Sequence, residues 1–295
     1  MNQNSVNTAN GGSKLLSFAF KFNVVAISSL LVIGSSKAAE NNSPAKVAHN
    51  HSEGTLSLVA NGEDFVRQGF VTKDGWSISF DRVAVNLSDV TAYQMASSFQ
   101  PTEANQIDNL EYQEKVALVD TPQIVDLAEG EADADPIMVT SMEVTSGFYN
   151  AVAWKMDTAG DNSALAGKTM ELQGTASKDD QVINFDLSLN RPLHYLCGEY
   201  VGDDRKGMVQ AGGIGEVETT FHFDHIFGDG EASADDAINV GALGFTPLAQ
   251  LASSEQLIID DATLSQQLSS EDQEKLTKAI IGLGHVGEGH CAVIE

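Results

Sequence analysis

From Trp76 to Val90 the chain alternates apolar and polar residues, a pattern that suits a β-strand with one buried face. Successive strand side chains point to opposite sides, so Trp76, Ile78 and Phe80 share one face. After Asp81-Arg82 the alternation resumes one residue out of phase, at Val83, Val85 and Leu87. That shift predicts a bulge or bend.

Similar short runs follow and precede it. Thr55-Leu-Ser-Leu-Val, Lys115-Val-Ala-Leu-Val-Asp, Ile124-Val-Asp-Leu, Met138–Val144 and Phe148–Met156 all read as strands. Thr169–Ala176 and Val182–Leu189 read as a pair around Lys178-Asp-Asp180, and Glu216–Phe227 as a final strand. Gln94–Glu114 is a polar connection, and Glu129–Pro136 an acidic loop. The pattern predicts a mainly β protein, an immunoglobulin- or transthyretin-like β-sandwich over residues 54–227. Residues 228–295 read as a helical C-terminal extension packed on the sandwich. Thr246-Pro247 starts one helix. Ser270-Glu-Asp-Gln273 is a capping box for another, which Gly282 and Gly284 stop.

The N-terminus has the signature of an export signal. Residues 1–21 carry Lys14 and Lys21 and no acid, a short apolar run spans Phe22–Gly34, and Ser36-Lys37-Ala38 offers a cleavage site. Residues 1–38 are the expected signal peptide, with 39–53 a flexible lead-in containing His49 and His51. The apolar run is shorter than the ~20 residues that span a bilayer, so the cleaved chain is not expected to span one, and a periplasmic or secreted location follows. Cleavage after Ala38 removes three lysines and leaves 13 basic against 42 acidic residues, a net charge of −29. Such a surface repels nucleic acid and attracts cations. In an oxidising compartment the only two cysteines, Cys197 and Cys291, are expected to form one disulfide.

The histidines are the most informative residues. His194 lies three residues before Cys197, His222 and His225 sit on the last expected strand, and His285 and His290 flank the chain's end near Cys291. A Cys197–Cys291 bridge would draw these five imidazoles to one end of the sandwich. Neutral imidazole suits zinc and copper. On a regular strand His222 and His225 face opposite sides, which leaves His222 with Asp224 as the cleaner pair; Asp224 would ligate or orient His222. The candidate metal residues are therefore His194, His222, Asp224, His225, His285 and His290. Asp229–Asp235 has the alternating oxygens of half a calcium loop but has Ala234 and Val240 at the glycine and glutamate positions. No nucleophile elbow, zinc-protease helix motif or catalytic carboxylate pair stands out, and no catalytic residue is assigned.

The stretches Trp76–Val90, Lys115–Asp120 and Ser146-Gly-Phe-Tyr-Asn-Ala-Val-Ala-Trp154 resemble the methanobactin-associated periplasmic protein (MbnP-like) family. The resemblance covers residues 54–227. It implies an exported β-sandwich, a link to copper, and a di-haem peroxidase partner. The chain departs from the family in having two cysteines where many members have four. The family also offers no counterpart to the Gly284–Cys291 tail. Transthyretin-like sandwiches share the Gly147-Phe-Tyr149 turn.

The expectation is an extracytoplasmic protein that stores, delivers or senses copper or zinc without catalysis. Its rivals are a structural or adhesive sandwich whose charge serves only solubility, and a hydrolase with a metal-activated water.

Overall fold

The computed structural model describes residues 52–102 and 104–294. The expected signal peptide, most of the lead-in, and His49 and His51 lie outside the described residues. The strand that begins at Ser77 runs to Met95 and organises the larger sheet. It pairs with Met170–Lys178 along its first half and with Ala151–Met156 along its second. The phase shift at Asp81 is a bulge, since register slips between Phe80 and Arg82. A second slip lies between Ser88 and Thr91 around Asp89, whose φ is +48°. The two breaks let one long strand bend and serve two partners in turn.

The smaller sheet has the order Gly289–His290, Gly284–Val286, Ile214–Phe221, Glu53–Asn61, Ile137–Thr145. Its centre is a parallel pairing of the first strand with Ile214–Phe221, in the register Asn61 opposite Thr220. The two sheets pack together as the expected mainly β sandwich. Leu56 and Leu58 from one sheet and Val83, Val85 and Trp154 from the other are buried in one core. Phe70, Phe80, Phe185, Phe227 and Phe245 form a ring cluster beside them, with neighbouring centroids 5.6 to 6.4 Å apart. Aromatic pairs at such separations add to what area burial supplies.

Three expectations need correction. The strand expected over Glu216–Phe227 stops at Phe221, and Asp224–Phe227 is a helical turn. His225 N–H donates to the His222 carbonyl and Ile226 N–H to that of Phe223, so helical bonding replaces the ladder. The C-terminal region is also not purely helical. Helices Thr246–Ala249 and Ser270–Ile281 are present, but Gln256–Asp260 joins the larger sheet beside Gln181–Leu189. Gly284–Val286 joins the smaller sheet and Ala292–Val293 the larger. Strands this short show little alternation in sequence, which hid them. The cap of the last helix lies one residue earlier than expected, where the Ser269 hydroxyl accepts from Asp272 N–H. Among the described residues no helix is long and apolar enough to cross a membrane.

Cys197 and Cys291 are bonded, across a sequence separation of 94 residues. The bridge fastens the chain's end to the Leu193–Cys197 strand, where Ala292 and Val293 also pair with Leu196 and Tyr195. Closing a loop of that length stabilises a fold by roughly 4 to 5 kcal/mol in the chain-entropy view. Unfolded, unreduced protein should therefore titrate no free thiol. Reduction should lower the denaturation midpoint by a stability loss of up to about that size; two free thiols in the native protein would contradict the pairing.

Candidate metal centre

The parallel register that ends with Asn61 opposite Thr220 sets the site. Continued by two residues, it puts Glu63 beside His222. On the other edge of the same strand, Thr220 pairs with His285 and Phe221 with Gly284. His285 in turn pairs with His290 across the short hairpin, whose Gly287 has φ +56°. The hairpin is seated closely. A side chain at Gly284 would strike the Tyr195 ring, at 2.6 Å. Gly287 N–H donates to Thr220 Oγ1, and that hydroxyl donates to Glu218, a buried carboxylate that also pairs with Lys206 and accepts from Asn61.

Four imidazoles converge as a result. His222 stacks on His285 with centroids 3.9 Å apart, and His285 lies 4.3 Å from His290. His225 stands 5.1 Å from His285 and 5.9 Å from His290. The helical turn brings His225 round to His222, at 5.8 Å, where a regular strand would have parted them. One ring nitrogen each from His222, His225 and His285 lies within 4.8 Å of the others, a group that could hold a metal ion. An ion bound at about 2.0–2.1 Å from each needs nitrogens no more than roughly 4.2 Å apart, which small ring rotations supply.

The hydrogen bonding around the rings suits ligation. His285 Nε2 lies 3.1 Å from the Gly282 carbonyl, which assigns its proton to Nε2. Its Nδ1 is buried with no partner. A ligating histidine ordinarily donates its other ring N–H to a carbonyl or carboxylate in this way. His222 Nε2 is also buried, and its polar neighbour is Glu63 Oε1 at 3.3 Å, an ion pair when the ring is protonated. Asp224 Oδ1 is a third such atom. Of the five buried side-chain polar atoms without a well-formed hydrogen bond among the described residues, three belong to this cluster, and of these His222 Nε2 has Glu63 beside it. Glu63 itself sits at φ +60°, a strained conformation for a non-glycine residue. A Cβ on Gly282 would stand 2.9 Å from His225 Nδ1, so that glycine leaves His225 its room.

Burial and mutual repulsion hold two of the rings neutral. His225 is depressed to about 4 by burial and then by His222 and His290. His285 is depressed to about 2 by burial, with repulsion from His222, His290 and His225 adding and the Gly282 carbonyl opposing. Burial also depresses His222, but the carboxylates of Glu63, Asp224 and Glu288 outweigh it and leave its pKa above the ordinary value. Burial raises the Asp224 carboxyl, against the attraction of His222.

The cluster omits one expected member. His194 faces a separate cleft with Lys155, Asp157 and Ile294. The reason is strand geometry: His194 and Cys197 are three residues apart, so they point to opposite faces, and the disulfide cannot draw His194 inward. Asp224 lies beside His222 but outside the three-nitrogen group. The calcium-like loop is organised around a side-chain amide. Buried Asn239 donates through Nδ2 to the carbonyls of Asp229, Ala232 and Ser233, at 2.8, 3.2 and 3.0 Å. Glu63, Gly282 and Glu288 were not legible as site residues. Glu63 reaches the site through the parallel register, and Gly282 and Glu288 flank the short Gly284–His290 hairpin, both long-range pairings that leave no local pattern.

The metal-free protein should lose stability on acidification through this cluster. His225 and His285 titrate near 6.5 when unfolded but at about 4 and about 2 when folded. Below pH 6.5 the unfolded chain takes up protons that the folded chain refuses, so stability falls from there towards pH 4. The slope approaches about 1.4 kcal/mol per pH unit for each ring, less for His225, which keeps some solvent contact. His222 has the opposite sign: its contribution is present below the unfolded value and lost as pH rises through its folded pKa. Below pH 6.5 that contribution is constant, so the fall towards pH 4 comes from His225 and His285. Denaturation of metal-free wild type and His225→Gln between pH 7.5 and 4.5 checks this, and equal slopes would contradict it. No protein-family model, curated protein or solved structure matches this chain, so the chemistry of the site is argued from its own residues.

Proposed function

We propose that the protein is an exported metal-handling protein that binds copper or zinc through His222, His225 and His285, with His290 beside them at the exposed side, and stores, delivers or senses the ion. The observation that carries this reading is the buried, partnerless Nδ1 of His285, set among three imidazoles whose ring nitrogens lie within 4.8 Å of one another. An orphaned buried polar group is rare and costs about 1–3 kcal/mol, so a lone pair on a ring whose other nitrogen is held by the Gly282 carbonyl asks for an electrophile. An all-imidazole set favours zinc or copper over calcium or magnesium, which take oxygen. The Cys197–Cys291 disulfide and the signal-like N-terminus support an oxidising compartment. The resemblance to the methanobactin-associated family inclines the choice of ion toward copper.

Calorimetric titration of mature protein, starting at Ala39 or Glu40 if the export reading is right, tests the proposal. Zn²⁺ and Cu²⁺ should bind saturably at one site and raise Tm, because the ion binds only the folded arrangement. Ca²⁺ and Mg²⁺ should give only weak, salt-erased binding. His285→Ala and His222→Ala should abolish the site. Gly282→Ala, which crowds His225 without touching an ion, should weaken it about 10-fold or more. Wild-type affinity in both histidine variants would overturn the assignment and favour the structural reading.

A further inference from the structure

Three of the four rings are closed in. His285 is 2 % and His222 7 % exposed, and His225 is half-buried, but His290 is exposed. His225 and His290 both open onto a cleft of about 340 Å³. Its remaining walls are Ala237, Ile238 and Gly241 from one short helix and Lys278 and Ala279 from the last turns of another. No carboxylate lines it. That is unusual in a chain with 42 acidic residues against 16 basic.

Lys278 is the second observation. Among the described residues nearly every basic side chain is engaged. Arg82, Lys155, Lys168, Arg191, Arg205, Lys206 and Lys275 pair with carboxylates. Arg67, Lys73 and Lys178 donate to backbone carbonyls, and Lys115 lies over the Tyr112 ring. Lys278, alone among the described basic residues, has no side-chain hydrogen bond, ion pair or aromatic partner, and it lines the cleft that holds His225 and His290. An ammonium group, small apolar walls and two ligand rings together describe a pocket for a small anion.

We infer that the cleft holds a small monoanion, of halide, azide or short carboxylate size, which binds the metal ion at its open side and sets its charge against Lys278. The inference rests on the metal site proposed above. Three buried imidazoles leave at least one position of a four-coordinate ion to be filled. His290 and the anion share that open side, and the anion is the exchangeable ligand. The metal in this protein then carries a replaceable anionic ligand, unlike a closed structural site.

The test uses the full mature chain loaded with Cu²⁺ and titrated with azide, read by the azide-to-copper charge-transfer band and by the copper EPR signal. Saturable spectral change is expected, with acetate competing. Lys278→Met should weaken azide binding about tenfold, the effect of one nearby charge in a partly screened site. Lys278→Arg should restore most of it. Copper affinity should be unchanged in both, and so should binding of the neutral ligand imidazole. Ala237→Trp, at an exposed helix position, should fill the cleft and abolish the azide response while copper stays bound. Copper bound with no azide response overturns the anion pocket and leaves the metal site standing. Equal azide affinity in wild type and Lys278→Met overturns the role of Lys278, which then serves only its helix C-terminus. Failure of wild type to bind copper overturns both readings.

Discussion

The backbone ladder on the two edges of the Ile214–Phe221 strand is the constraint on which the site depends. One edge holds Glu53–Asn61 in parallel, the other holds Gly284–Val286 antiparallel. These three segments are distant in sequence, yet the hydrogen bonds fix Glu63, His222 and His285 within a few ångströms. Because register is set by side-chain burial on a period of two, a slip of one residue would turn each of these side chains to the wrong face. Burial of Leu56, Leu58, Val217 and Phe221 in the core forbids that slip. The same packing that holds the sandwich together therefore aims the imidazoles.

Much of the fold was legible because alternation is a local signal. The strand at Trp76, its bulge near Asp81, and the Met170–Lys178 and Gln181–Leu189 hairpin each follow from neighbouring residues. The disulfide followed from a count of two cysteines. The site was legible only in part. Histidine spacing pointed to His222, His225, His285 and His290, but the reason given for their meeting was incomplete. The disulfide secures the chain's end, while the Thr220–His285 pairing brings the rings together. His194 is close to Cys197 in sequence but not to the cluster in space, because strand alternation sends it to the opposite face. The break at Phe221 went unread because Phe221, Phe223 and Phe227 carry a period-two pattern into a helical turn. Phe223 and Phe227 are buried in both readings, so burial alone could not distinguish them.

The charges around the cluster are not symmetric. On the His222 side stand Glu63 and Glu288, which also line a broad cleft of about 820 Å³ with Asp64, Asp229 and Glu231. On the His290 side the cleft has no acid and presents Lys278. A divalent cation is drawn to the first face and an anion to the second, and the imidazoles lie between. The protein's net acidity raises the cation concentration at its surface in general. The local arrangement adds a direction to that field, with the carboxylates on one flank of the rings and the ammonium on the other.

The metal-free cluster stores free energy that the rest of the fold supplies. Neutral His285 keeps a buried lone pair without a donor, His222 lies against it at stacking distance, and Glu63 holds a strained backbone conformation. The unsatisfied lone pair and the strained backbone each cost on the order of 1–3 kcal/mol. A domain with a net stability of about 5–15 kcal/mol tolerates this only if the surrounding elements over-determine the geometry. Here they do: Gly284 against Tyr195, Gly287 bound to Thr220, and Cys291 bonded to Cys197 each immobilise the hairpin from a different side. Rings held this way need little ordering when an ion arrives, so less of the binding energy is lost to conformational entropy. The rigidity that makes the cluster costly on its own is thus the same property that would make it a tight site, and stability and affinity here rise or fall through the same contacts.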